Sequence, residues 1–215
     1  MARSRWRRWM ELCYKGRGRE HSRGGGRRVH RRDAEVAEEI GNMAKYVALL
    51  RAVNVGGTAK LPMTELKAMC IDAGFGQVET YIASGNVVFE SKFSPKKVKS
   101  ELEARLLAYA GISVGVVVRT ASEMEAVLQA NPFPKAAPNH TVAIFLDDPP
   151  PSDALAHAIG AKDEEMSLGK REIYVHYRTG IGTSKLKIPS AKNGTARNMN
   201  TIAKLSEMAA KGLSG

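Results

Sequence analysis

Two β-branched segments, residues 77–83 and 86–91, are separated only by Ser84-Gly85, and an amphipathic segment lies on either side of the pair. So short a glycine-containing break predicts an antiparallel hairpin. Upstream, residues 61–73 place Leu66, Met69, Cys70 and Ala73 on one helical face, with Gly74 as the stop. Cys70 on that face is expected to be a buried, inert thiol. Downstream, Ser94-Pro95 supplies an N-cap and a first-turn proline. The helix opened there points Val98, Leu102, Leu106 and Tyr109 inward and stops at Gly111. Residues 45–53 before this group and 113–119 after it are apolar enough for buried strands.

The resulting order, β-α-β-β-α-β, predicts a ferredoxin-like split unit: an antiparallel sheet with two helices on one face. A helix at about 122–130 follows, with Ser122 and Glu125 in capping-box spacing. Asn131-Pro132-Phe133-Pro134 ends it. The expected organisation is an α+β protein in two parts. Residues 43–131 form the ferredoxin-like unit, 132–138 a proline-rich linker, and 139–215 a smaller second α+β subdomain. In the second part we expect a strand at 141–147, a helix from Ser152 to about Ile159 and a strand at 172–178. That last strand carries Ile173, Val175 and Tyr177 on one face and His176 on the other. A final helix at 198–211 turns Met199, Ile202, Leu205 and Ala209 inward. Asp163-Glu164-Glu165 reads as a solvated acidic run. No repeat of fixed period is visible.

The chain has 215 residues and a net charge of +11. Residues 1–42 hold 11 Arg and one Lys against six acids, so more than half of that charge lies there, with both Trp. Such a stretch has no apolar period and cannot offset its ordering entropy by burial. It could be a basic arm that grips phosphates with Trp6 and Trp9 stacking on bases, but its acids and glycines argue against a transit peptide. The expected reading is an over-extended reading frame. Met43 is followed directly by a strand pattern, and Glu38-Glu39 can be encoded as a purine-rich ribosome-binding sequence. Two Cys exclude a disulfide-rich scaffold. No apolar run is long enough to span a membrane, so a soluble cytoplasmic protein is expected.

Four segments could carry chemistry. Arg51-Ala-Val-Asn54-Val-Gly56-Gly57-Thr58-Ala-Lys60 follows the first strand, and its paired glycines allow a backbone nest whose amides point at an anion. Ser84-Gly85-Asn86 forms the hairpin turn. Thr179-Gly180-Ile-Gly182-Thr183-Ser184-Lys185-Leu-Lys187 gathers glycines, hydroxyls and ammonium groups after a strand, without P-loop spacing. Thr195-Ala-Arg197-Asn198-Met-Asn200-Thr201 opens the last helix, where Arg197 would add a bidentate donor. Each segment also has a plain structural reading: a strand-to-helix turn, turn preference, a surface loop, and N-capping by Thr195 or Asn198. His140, His157 and His176 are scattered, and no metal-binding spacing exists. Asp147-Asp148 before three Pro reads as a turn. No cofactor is expected, and acyl-transfer and nicotinamide motifs are absent.

Residues 46–57, 80–89, 131–133, 182–186 and 195–201 resemble the signatures of a bacterial family of unknown function, domain of unknown function 1697. The resemblance runs from residue 43 to about 210. It implies a compact two-part α+β protein without an established activity. Met199 departs from the tryptophan usual there, and Pro189 and Gly194 interrupt a stretch that looks helical in many relatives. The expected function is binding of an anionic, nucleic-acid or nucleotide-like ligand by Arg51, Asn54, Gly56, Gly57, Ser84, Asn86, Gly182, Ser184, Lys185, Arg197, Asn198 and Asn200. Two alternatives stand beside it: an enzyme on a small phosphorylated or carboxylated metabolite, and a homo-oligomeric interaction module such as a homodimer.

Overall fold

The computed structural model describes residues 40–54 and 60–211. Its elements are β1 (Ile40–Leu50), α1 (Met63–Asp72), β2 (Gly76–Tyr81), β3 (Asn86–Phe93), α2 (Pro95–Ala110), β4 (Val116–Thr120) and α3 (Ala121–Gln129). There follow β5 (Thr141–Phe145), β6 (Glu165–Leu168), β7 (Glu172–His176), β8 (Thr195–Asn198) and α4 (Met199–Ala210). They form an α+β fold with two four-stranded sheets, in which each pairing of neighbours is antiparallel.

The first half follows its local signals. Ser94 accepts a hydrogen bond from Lys97 N, Pro95 occupies the first turn, and Gly111 closes α2 with φ +71°. The β2–β3 connection is longer than Ser84-Gly85 alone, because Tyr81 pairs with Asn86. Gly85 is required within it: its φ is +76°, and a Cβ there would lie 2.4 Å from Val53. The α3 cap falls two residues earlier than expected. Thr120 and Glu123 form the capping box, because β4 runs into the helix without a loop.

The second half differs from expectation in three places. Ser152 opens no helix. Separate turns close from Ala154 N to Pro151 O, Ala156 N to Asp153 O and Ala158 N to Leu155 O. The stretch between the prolines and Gly160 is too short to repay helix nucleation. Glu165 belongs to an edge strand, β6, rather than to a solvated acidic run. Residues 195–198 form β8, and α4 begins only at Met199, capped by Asn198.

The halves share one topology. The first sheet has the order β2-β3-β1-β4 and the second β6-β7-β5-β8, so each half reads 2-3-1-4 in its own strands. Leu49 pairs with Asn86 as Phe145 pairs with Glu172. Leu50 N donates to Gly85 O at 2.8 Å, and Leu146 N donates to Arg171 O at 2.9 Å. β4 and β8 each end in the residue that caps the next helix, Thr120 and Asn198. By this register Leu50 matches Leu146, Arg51 matches Asp147, Asn86 matches Glu172, and Arg119 matches Arg197. The repeat has no fixed period because turns and short 3₁₀ segments replace α1 and α2 in the second half.

The outer face of the first sheet (Tyr46, Ala48, Leu50, Val87, Phe89) packs on Leu66, Met69 and Cys70 of α1 and Val98, Leu102 and Leu106 of α2. The inner faces of both sheets meet α3 and α4 in one core that includes Val47, Leu49, Phe145, Tyr174, Met124 and Ile202. The outer face of the second sheet (Val142, Leu146, Ile173, Val175) is covered by Ala154 and Ile188 from loops.

Burial pushes the Cys70 thiol up to about 12 from its ordinary 9.0. The folded protein therefore keeps that proton while the unfolded chain loses it, and stability falls as pH rises from about 9 toward 12. Urea midpoints should drop between pH 8 and 10 by the equivalent of about 1 kcal/mol more in the wild type than in Cys70→Ala. Parallel pH profiles for the two proteins would contradict this.

Candidate functional site

Four expected site residues converge at the hairpin turn, and Arg197 organises them. It sits on β8, 8% exposed. Its Nε donates to Asn86 Oδ1. Its Nη1 donates to Thr195 Oγ1 at 2.8 Å and Ala196 O at 2.9 Å. Its Nη2 donates to Leu50 O and Ser84 O, each at 2.9 Å. An arginine has five N–H donors, and all five are engaged by protein acceptors. Burial lowers its pKa to about 10. Asn86 is fully buried and also donates to Tyr81 O and Ser84 Oγ, each at 3.0 Å. Asn54 Nδ2 donates to Leu61 O and Ala83 O, and its Oδ1 accepts from Leu61 N, all at 2.8 Å. Asn54 thus ties both ends of its own loop to the hairpin. Gly56 and Gly57 lie outside the described residues.

The matching arginine, Arg119 on β4, makes the reverse crossing. Its Nε and Nη2 donate to Glu172 Oε1 at 3.2 and 3.1 Å. Its Nη2 also reaches Leu146 O at 2.6 Å, the partner of Leu50 O in the repeat. Each sheet therefore sends one buried arginine to the equivalent strand ends of the other. Sequence reasoning missed Arg119, although a charge closing the run Val116-Val117-Val118 was the available signal. Arg51 and Asp147, also equivalent, bond to each other at 3.0 Å, and Lys99 joins Asp147 at 2.7 Å. Arg51 Nε is buried without a hydrogen-bond partner among the described residues. A cavity of about 210 Å³ adjoins Arg51 and is lined by Asp147, Asp148, Ser190 and Asn193.

Asn198 caps α4 by accepting from Thr201 N at 2.9 Å, and Asn200, two residues on, is exposed. Gly182, Ser184 and Lys185 lie apart, in the loop after β7. Ser184 Oγ donates to Glu164 and accepts from Leu186 N at 3.1 Å. Lys185 is exposed. The loop is pinned by an isolated antiparallel bridge, with Ile159 N to Lys187 O and Lys187 N to Ile159 O, both 2.8 Å. Gly160 lets the two chains approach: its φ is +74°, and a Cβ would lie 2.6 Å from Lys185 O. Between loop and sheet is a cavity of about 420 Å³ lined by Ile144, Ile159, Tyr177, Leu186, Lys187, Ile188, Pro189, Ala191 and Lys192. Tyr177 and Lys192 were not anticipated. The inward Leu186 and Ile188, alternating with Lys185 and Lys187, were the readable signal. Burial, helped by Glu164, raises the Tyr177 hydroxyl above its ordinary 10.0, so it stays protonated as a donor. Among the described residues no group of His, Cys, Asp and Glu could hold a metal ion, and no helix is long and apolar enough to cross a membrane.

Comparison with solved structures finds a similar fold in the conserved bacterial protein SP0830 from Streptococcus pneumoniae. It is 27% identical, with a TM-score of 0.66, over 78% of this chain and 99% of that one. No curated protein matches. The model of the family described as protein of unknown function (DUF1697) matches residues 43–174, and the chain belongs to that family.

Proposed function

We propose that the protein binds an anionic, nucleotide-like ligand through the loop of residues 178–192. The observation that carries this reading is the state of the lysines there. Lys185, Lys187 and Lys192 are exposed and form no ion pair among the described residues. The two arginines first expected in the site are engaged elsewhere, Arg197 by carbonyls and Asn86, Arg51 by Asp147. Gly182 and Ser184 stay in the site as the loop that presents Lys185. Residues 43–131 act as a ferredoxin-like subdomain, 132–138 as a link and 139–215 as a degenerate copy of the first, working in the cytoplasm. An enzyme on a small phosphorylated or carboxylated metabolite is the second reading. The concave, mostly apolar cavity beside the loop favours it over a nucleic-acid partner.

Charge reversal of Lys185, Lys187 and Lys192 to Glu in the full chain tests the loop. Titration with ATP and with a short single-stranded oligonucleotide at two salt concentrations should show binding at least about 10-fold weaker in the variant, with a shallower salt dependence. Both proteins carry the Arg-rich residues 1–42, so their difference reports the loop alone. Equal affinities and equal salt slopes would end this reading.

A further inference from the structure

We propose that the 420 Å³ cavity on the outer face of the second sheet is a binding site for a small carboxylate with an apolar body. This rests on the second of the preceding readings, a small carboxylated metabolite held beside the loop, and names the ligand class. The internal repeat supplies the first reason. The matching face of the first sheet is sealed by α1 and α2. The second sheet has only the turns of residues 152–159 and the loop of residues 178–192 there. The cavity occupies the volume that helices fill in the first half. Its size lies in the ordinary range for small-molecule sites, roughly 300–1,000 Å³.

Its chemistry supplies the second. Six of its lining residues, Ile144, Ile159, Leu186, Ile188, Pro189 and Ala191, are apolar. The polar lining is Tyr177, Lys187 and Lys192; no carboxylate lines the cavity, although the charge of Glu164 reaches the Tyr177 hydroxyl from outside it. The Tyr177 hydroxyl makes no hydrogen bond among the described residues and is held protonated. The exposed Lys187 and Lys192 at its margin and the phenol of Tyr177, beside an apolar floor, complement a carboxylate whose body is buried. The Ile159–Lys187 bridge holds the roof, so the site is preformed.

The test uses the full chain and three probes: 2-naphthoate, the neutral 2-naphthalenemethanol, and acetate. Calorimetry should show 2-naphthoate binding, with the alcohol and acetate each at least about 10-fold weaker. Ala191→Phe fills the cavity, Ile159→Asp places a carboxylate in its lining, and Lys187→Gln with Lys192→Gln removes its charge. Each should weaken 2-naphthoate at least about 10-fold. Ile159 is 63% exposed, so its replacement leaves folding intact even where Ala191→Phe does not. No binding of 2-naphthoate up to about 5 mM, equal binding of the alcohol, or indifference to Ile159→Asp and the lysine pair would overturn the proposal. Oligonucleotide binding that responds to charge reversal while 2-naphthoate never binds would sink the cavity site and leave the loop reading standing. Binding of 2-naphthoate with the expected variant pattern, in a protein that ignores ATP and oligonucleotide, would support the cavity and fail the loop's nucleotide reading.

Discussion

Replacing Arg197 with methionine should lower the free energy of unfolding by about 3–5 kcal/mol, read from urea denaturation. The side chain fills its space, but Asn86 Oδ1 and Ser84 O lose the donor that reaches them from the other sheet, and Leu50 O is left with the Thr195 hydroxyl at 3.2 Å. Each orphaned buried acceptor costs about 1–3 kcal/mol. Arg197→Lys should recover little of the loss, because one ammonium on a flexible stem cannot reproduce a planar fork that bonds on three sides. The contrast is Lys185→Glu, an exposed change in the proposed binding loop, which should stay within about 0.5 kcal/mol of wild type. If Arg197→Met unfolded at the wild-type midpoint, the guanidinium would not be holding the sheets together. Anion binding should be unaffected by Arg197→Lys in the fraction that remains folded, because its donors face protein.

This outcome bears on what the sequence could disclose. The first half was readable because its signals act within a few residues. Ser94, Pro95 and Gly111 set the ends of α2 by capping and by φ alone, and Gly74 does the same for α1. β8 was hidden for the opposite reason. Its inward positions are Thr195 and Arg197, buried polar groups that apolar periodicity cannot recognise. Only pairing with β5 makes that stretch a strand. β6 is an edge whose residues are all half-buried, so its alternation is weak. The site residues show the same split. Asn54, Ser84, Asn86 and Arg197 stand out in the sequence and do converge, yet the contacts among them are with one another and with backbone. Gly, Asn and Arg motifs arise as readily from backbone demands as from ligands, and single-chain reading has no measure of which donors are already taken. The internal repeat escaped because losing two helices removes the constant spacing by which repeats are found.

The second large effect should come from Glu172, at the position that matches Asn86. It is 4% exposed, and Arg119 beside it is 1% exposed. Glu172→Ala removes the only carboxylate bonded to that guanidinium among the described residues and should cost about 3–5 kcal/mol, since it leaves a buried charge without its counterion. Burial already lowers the Arg119 pKa, with Glu172 opposing that shift. Glu172→Gln keeps the shape and loses the charge, and should fall between wild type and Ala. A simple ion pair would allow Arg119→Met with Glu172→Met to return near wild-type stability, because apolar replacements of buried pairs are often neutral. Here the double replacement should remain about 1–3 kcal/mol below wild type. Arg119 also serves Leu146 O at 2.6 Å and Val118 O at 3.0 Å, and its guanidinium lies 5.6 Å from the centre of the Phe145 ring. A double variant as stable as wild type would reduce Arg119 to a charge that happens to be paired. A persistent loss would assign it the same task as Arg197: carrying hydrogen-bond donors from one copy of the repeat to strand ends that the other copy leaves unsatisfied.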